Sequence, residues 1–108
     1  MAEALRYVLF YESGDLSRAV ENFPPHKAWY TEFMQRGVLL SLGAFSDRSG
    51  SIAVFTTREA AEEFAAGDPF VLHGVVSSYV VREWREVTPL ASGDSSRERQ
   101  ANLAPTNS

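Results

Sequence analysis

The sequence predicts an α+β domain in which four strands and two helices follow the order β-α-β-β-α-β. Three observations carry this reading. Short runs dense in aromatic and branched apolar residues recur at 7–11, 38–45, 51–55 and 75–84, each of strand length. Two intervening segments place apolar residues three and four apart and carry helix start and stop residues. The two middle runs are separated by a short polar turn, which asks for an antiparallel hairpin.

Tyr7-Val8-Leu9-Phe10-Tyr11 is apolar or aromatic on both alternating sets, so it reads as a strand buried on two faces. Glu12-Ser13-Gly14-Asp15 ends it, and the polar stretch up to Phe23 is a loop or an irregular helical turn. Pro24-Pro25 opens the first helix, because proline suits a first helical position where its missing N–H costs nothing. From there His26, Trp29, Tyr30 and Phe33 fall at i, i+3, i+4 and i+7 and form the buried face. Arg36-Gly37 closes the helix with a cation and then a glycine for the left-handed cap.

Val38-Leu39-Leu40-Ser41-Leu42-Gly43-Ala44-Phe45 is the second strand, and Ser51-Ile52-Ala53-Val54-Phe55 the third. Ser46-Asp47-Arg48-Ser49-Gly50 turns between them. Thr56-Thr57-Arg58-Glu59 matches a capping box, with Thr56 as N-cap and Glu59 reaching back. Ala60, Ala61 and Phe64 supply the apolar stripe of the second helix, which Gly67-Asp68-Pro69 stops. The fourth strand runs from Val75 to Trp84, with Val76, Val80 and Trp84 on one face and Tyr79 and Val81 on the other.

Short right-handed crossovers turn this order into a ferredoxin-like, four-stranded antiparallel sheet with both helices on one face. A half-open sheet normally alternates apolar with polar residues, and these strands do not. The helix-free face therefore needs a cover, and a second copy of the chain packed sheet to sheet is the simplest one. The expected organisation is a domain over residues 1–87 and a polar tail over 88–108, rich in Ser, Ala, Asn and Pro, that is disordered or loosely attached.

Composition narrows the function classes. The chain has 108 residues, enough for one domain. A net charge of −4 with no basic stripe argues against a nucleic-acid partner. Absence of cysteine excludes disulfides, thiolate catalysis and cysteine-based metal sites. No run approaches the roughly 18 apolar residues a membrane span requires. Met1 to Arg6 lacks an apolar stretch behind a basic start, so no signal peptide is expected and the cytoplasm is the expected location.

The chain has two histidines. His26, placed in the first helical turn on the inward face, is either a core-edge residue or a general base. A helix N-terminus disfavours imidazolium and would keep the ring able to accept a proton. Asp68 is the candidate partner, because Pro69 restricts its backbone to extended conformations. A carboxylate on one imidazole nitrogen sets the tautomer and makes the other nitrogen a better base. The plain alternative is that Asp68 only terminates a helix. Asp47 fits an ordinary turn as well as a site, and His73 falls in a short exposed connection. No metal-ligand spacing or nucleotide fingerprint is present, so no bound metal or cofactor is expected. Trp29, Tyr30, Tyr7, Phe33 and Phe70 are either plain core or the lining of a pocket for a small aromatic or organic-acid ligand.

These residues also carry a resemblance. The opening strand Tyr7-Val8-Leu9-Phe10-Tyr11, the histidine early in the first helix, Phe33 and then Arg36-Gly37-Val38-Leu39-Leu40 resemble the YciI-like (YCII-related) family. So do Leu42-Gly43-Ala44-Phe45 with the following Asp47. The most specific part is Arg58-Glu59-Ala60-Ala61 running into Gly67-Asp68-Pro69-Phe70 and Gly74-Val75. The chain departs from the pattern in its Pro24-Pro25 lead-in, in Ala44 where proline is usual, and in its tail. The resemblance spans about residues 5–87. It implies a dimeric α+β barrel built from two ferredoxin-like sheets and a His–Asp site, carried here onto His26 and Asp68.

Two functions follow as expectations. In one, a cofactor-independent enzyme of lyase, elimination or isomerase type uses His26 to remove a proton from a small organic, possibly aromatic, substrate, with Asp68 orienting the ring. Trp29, Tyr30, Tyr7, Phe70 and Asp47 are the candidate substrate-binding residues. In the other, a non-catalytic dimeric module binds a small ligand or another protein. Haem or dioxygen chemistry, known from other dimeric α+β barrels, stands as a weaker third.

Overall fold

The computed structural model describes residues 1–89. The tail expected from residue 88 onward lies, from residue 90, outside the described residues. The elements are β1 (Ala2–Ser13), α1 (Ala19–Gln35), β2 (Leu39–Ala44), β3 (Gly50–Phe55), α2 (Arg58–Gly67), the single-turn α3 (Pro69–Leu72) and β4 (Val76–Thr88). The four strands form one antiparallel sheet in the order β2-β3-β1-β4. This is the ferredoxin-like arrangement expected from the element order.

β1 is central, paired with β3 from Tyr7↔Phe55 to Glu12↔Gly50 and with β4 from Ala2↔Thr88 to Ser13↔Val76. That position explains why residues 7–11 carry no polar face. Leu9 and Tyr11 point to the helices and join Phe33, Phe55, Phe64 and the small residues Ala60, Ala61 and Ala65 in the core. The alanines let α2 approach closely enough for the Phe33, Phe55 and Phe64 rings to meet edge to face or tilted. β1 and β4 extend well past their apolar runs, since the ladder between them continues from Ala2↔Thr88 to Ser13↔Val76.

Three local expectations are corrected. First, α1 begins at Ala19, not at Pro24, after a 3-10 turn at Leu16–Arg18 in which Asp15 accepts from the Ser17 N–H at 3.1 Å. Pro24 and Pro25 lie inside the helix. Each removes the bond to the carbonyl four residues back, those of Val20 and Glu21. Val20 and Glu21 are both exposed, Val20 by 86%, so the helix gives up these bonds on its solvent side. Second, the N-cap of α2 is Thr57, whose hydroxyl accepts from Ala60 N at 3.1 Å. Thr56 is still held by the sheet, donating its N–H to the Val38 carbonyl at 3.0 Å. Third, a bulge between Glu12 and Ser13 shifts the β4 register, so Val76 turns to the helix side while Val80 and Trp84 stay on the open face.

The end of α1 is as expected. Gly37 takes φ 78°, its N–H reaches Met34 O, and the Val38 N–H reaches Phe33 O, closing a Schellman cap. Gly67 has a different reason to be glycine. A Cβ there would sit 2.5 Å from the Trp29 ring, so the bare backbone is what lets α1 and α2 pack.

The open face carries Val8, Phe10, Ile52, Val54, Val80 and Trp84, as the register requires. Val80 and Trp84 are 53% and 45% exposed, beside a depression of about 390 Å³. Among the described residues no helix is long and apolar enough to cross a membrane.

Candidate active site

The helix face that buries Phe33 continues toward the N-terminus of α1 through Tyr30 to His26, and it meets the junction of α2 and α3. Asp68 sits at that junction. It ends α2 and caps α3, its Oδ1 accepting from the Phe70 N–H at 3.0 Å with Pro69 at the first helical position. The extended backbone that Pro69 demands (φ −67°, ψ 122°) turns the carboxylate inward, where it is completely buried.

His26 and Asp68 come together. Nδ1 of His26 lies 2.7 Å from Asp68 Oδ1, and the imidazole is itself buried. Oδ1 already accepts from a backbone N–H, so the imidazole nitrogen facing it is the protonated one. Nδ1–H donates to the carboxylate, and Nε2 is the nitrogen left with a lone pair. His26 lies about two turns inside α1, not in its first turn. The helix-dipole argument therefore does not apply, since that influence fades within the first turn. What holds the ring is its hydrogen bond to the Asp68 carboxylate.

Tyr11 completes the cluster, and reasoning from spacing missed it. Its O–H donates to Asp68 Oδ2 at 2.7 Å, so each carboxylate oxygen has a donor. Burial above all, and then the charge and hydrogen bond of Asp68, push the Tyr11 hydroxyl far above its ordinary pKa and keep it a donor. The signal was faint but present: Tyr11 alternates with Leu9 on the core side of β1, where a phenol must find a partner.

A cavity of about 320 Å³ opens beside His26, walled by Phe23, Tyr30, Leu42, Ser51 and Phe70 among others. The Phe70 ring stacks on the imidazole at 3.8 Å between centroids with 2° between planes, and Tyr30 meets it edge-on at 5.3 Å. Of the residues expected to line a pocket, Tyr30 and Phe70 do so. Trp29 does not, since its indole turns to α2 and donates to the Phe64 carbonyl at 2.9 Å. Tyr7 packs at the core margin under Arg58, 5.4 Å from its ring. Asp47 stays in the hairpin turn, accepting from Ser49 N–H and Oγ at 2.9 and 2.6 Å, away from His26. His73 is exposed at the end of α3. Among the described residues no three His, Asp or Glu side chains cluster as metal ligands would.

A ferredoxin-like α+β sheet with a buried imidazole–carboxylate–phenol chain at its helix seam is the class these features define. The chain belongs to the YCII-related domain family, whose pattern it matches over residues 5–85. Among solved structures it is similar to 5-chloro-2-hydroxyhydroquinone dehydrochlorinase (TftG) from Burkholderia phenoliruptrix AC1100, in complex with 2,5-dihydroxybenzoquinone. The TM-score is 0.61 at 17% identity, over 73% of this chain and 92% of that one. At that identity the likeness establishes the shared fold. No curated protein sequence matches the chain.

Proposed function

We propose that this protein is a small-molecule enzyme in which His26 is the general base and Asp68 its orienting partner. The observation that carries the reading is the buried 2.7 Å contact between His26 Nδ1 and Asp68 Oδ1 beside an apolar cavity. With Nδ1–H committed to the carboxylate, Nε2 takes the proton of a bound substrate, and Asp68 stabilises the imidazolium that forms. The stacked Phe70 ring adds a cation–π contribution in the same state. The dehydrochlorinase of the same fold suggests the reaction class. A hydroxylated chloroaromatic would first tautomerise, its chlorine-bearing ring carbon gaining a proton as a hydroxyl becomes a ketone. Nε2 would then take a remaining hydroxyl proton while chloride leaves with the C–Cl electron pair, so that net loss of HCl leaves a quinone with no external oxidant or reductant.

The test uses 5-chloro-2-hydroxyhydroquinone as probe and chloride release as readout. His26→Gln should lower the rate on the order of 10²–10⁴-fold. Asp68→Asn should also slow it, because an amide can hold the opposite tautomer. Wild-type rates in His26→Gln would refute the assignment. The cavity's aromatic walls also favour a second reading, a ligand-binding module without chemistry, for which the same compound binds but is never turned over. We also propose that a second copy of the chain covers the open sheet face, where Val80 and Trp84 are otherwise half in water.

A further inference from the structure

Resting on the reading of the His26 cavity as a small-molecule site, we infer that its ligand is an organic acid whose carboxylate is held by Arg48. A second cavity of about 260 Å³ abuts the first and shares Tyr11, Ala44, Ser51 and Phe70 with it. Its additional walls include Ser13 and Arg48. The imidazole lines only the first of these adjoining spaces, and the only arginine or lysine lining either cavity lines only the second.

Arg48 is an exposed residue whose backbone is held firmly. Its backbone sits at φ 67°, its N–H donates to the Phe45 carbonyl at 3.0 Å, and its carbonyl accepts from Ser13 Oγ at 2.8 Å. Its charge is uncommitted: among the described residues it forms no salt bridge. The adjacent Asp47 is occupied by Ser49. The chain carries a net charge of −4, so its overall field repels an anion and a local cation must do the selecting. A planar guanidinium matches a carboxylate through two parallel hydrogen bonds. A phosphate would ask for further cations or a nest of N–H groups, and neither cavity offers another basic side chain of that kind. The aromatic body of such an acid would then lie along Phe70, toward His26.

The experiment titrates the full chain with benzoate and with benzamide, following the imidazole resonances by NMR, with exposed His73 as internal control. Benzoate should bind about tenfold more tightly than benzamide and move the His26 signal. Arg48→Gln should weaken benzoate about tenfold and leave benzamide unchanged, while Arg48→Lys should keep part of the preference. Equal affinities of wild type for the two probes, both moving His26, would overturn the acid assignment and leave the cavity reading standing. So would benzoate binding undiminished in Arg48→Gln. If neither probe moves His26, the cavity reading falls and this inference goes with it.

Discussion

Replacing Tyr11 by phenylalanine keeps the ring in the core and removes one oxygen. In the folded protein that oxygen donates to Asp68 Oδ2 at 2.7 Å, and Asp68 is fully buried. No water can take over without opening the core, so the carboxylate loses half of its side-chain donors. A hydrogen bond to a charged group contributes about 1.5–3 kcal/mol, and Tyr11→Phe should destabilise the domain by about that amount near neutral pH. The loss should also depend on pH in a defined direction. Burial and Asp68 raise the pKa of Tyr11 far above the value of about 10 that it has in the unfolded chain. Above pH 10 the unfolded chain releases this proton while the folded protein keeps it. The folded state then binds more protons, and stability falls as pH rises. For this single group the slope is about 0.7 kcal/mol per pH unit at pH 10 and approaches about 1.4 above pH 11. Wild type should lose that increment and Tyr11→Phe should not, so the gap between them should narrow by about 1.4 kcal/mol between pH 8 and 11, about 1 kcal/mol of it above pH 10. Urea unfolding of both proteins at pH 8, 10 and 11 reads the gap directly. A gap that stays constant across that range, or one below about 0.5 kcal/mol at pH 8, would refute the claim that this phenol is locked to a buried carboxylate.

Other outcomes follow from packing. Gly67→Ala would press a methyl group to 2.5 Å from the Trp29 ring, and the helices would have to part. A loss of about 1–3 kcal/mol is expected by denaturant unfolding, and a neutral effect would mean that the α1–α2 contact is looser than described. Val80→Glu places a charge on the open sheet face, 53% exposed in the isolated chain. It should leave folding intact yet convert a wild-type dimer to a monomer in analytical ultracentrifugation. A wild-type monomer at micromolar concentration would remove the proposed pairing.

The parts legible in the sequence were those written in local pattern. Periodicity located four strands and two helices, and the element order left one antiparallel topology with both helices on the same side. The i, i+3, i+4, i+7 stripe placed His26 on the buried face, although two helix-interior prolines misled the start of α1. A helix can tolerate proline past its first turn where the orphaned carbonyl meets water, and spacing alone does not reveal that exposure. The Thr56 cap failed for a similar reason, since a ladder bond to Val38 from across the sheet outbid a local motif.

The sequence by itself determined which residues could carry chemistry here: one inward histidine, an aspartate stiffened by the following proline, and aromatics enough to wall a pocket. Tertiary structure alone decided that His26 and Asp68, 42 residues apart, meet at 2.7 Å, and that Tyr11, 57 residues from Asp68, closes the other side. It also separated Trp29, Tyr7 and Asp47 from the cavity and turned Val76 to the helix side. The reason is physical. Propensity and period act over a few residues along the chain, whereas a buried carboxylate is satisfied by whichever donors the packed sheet and helices bring within hydrogen-bonding distance.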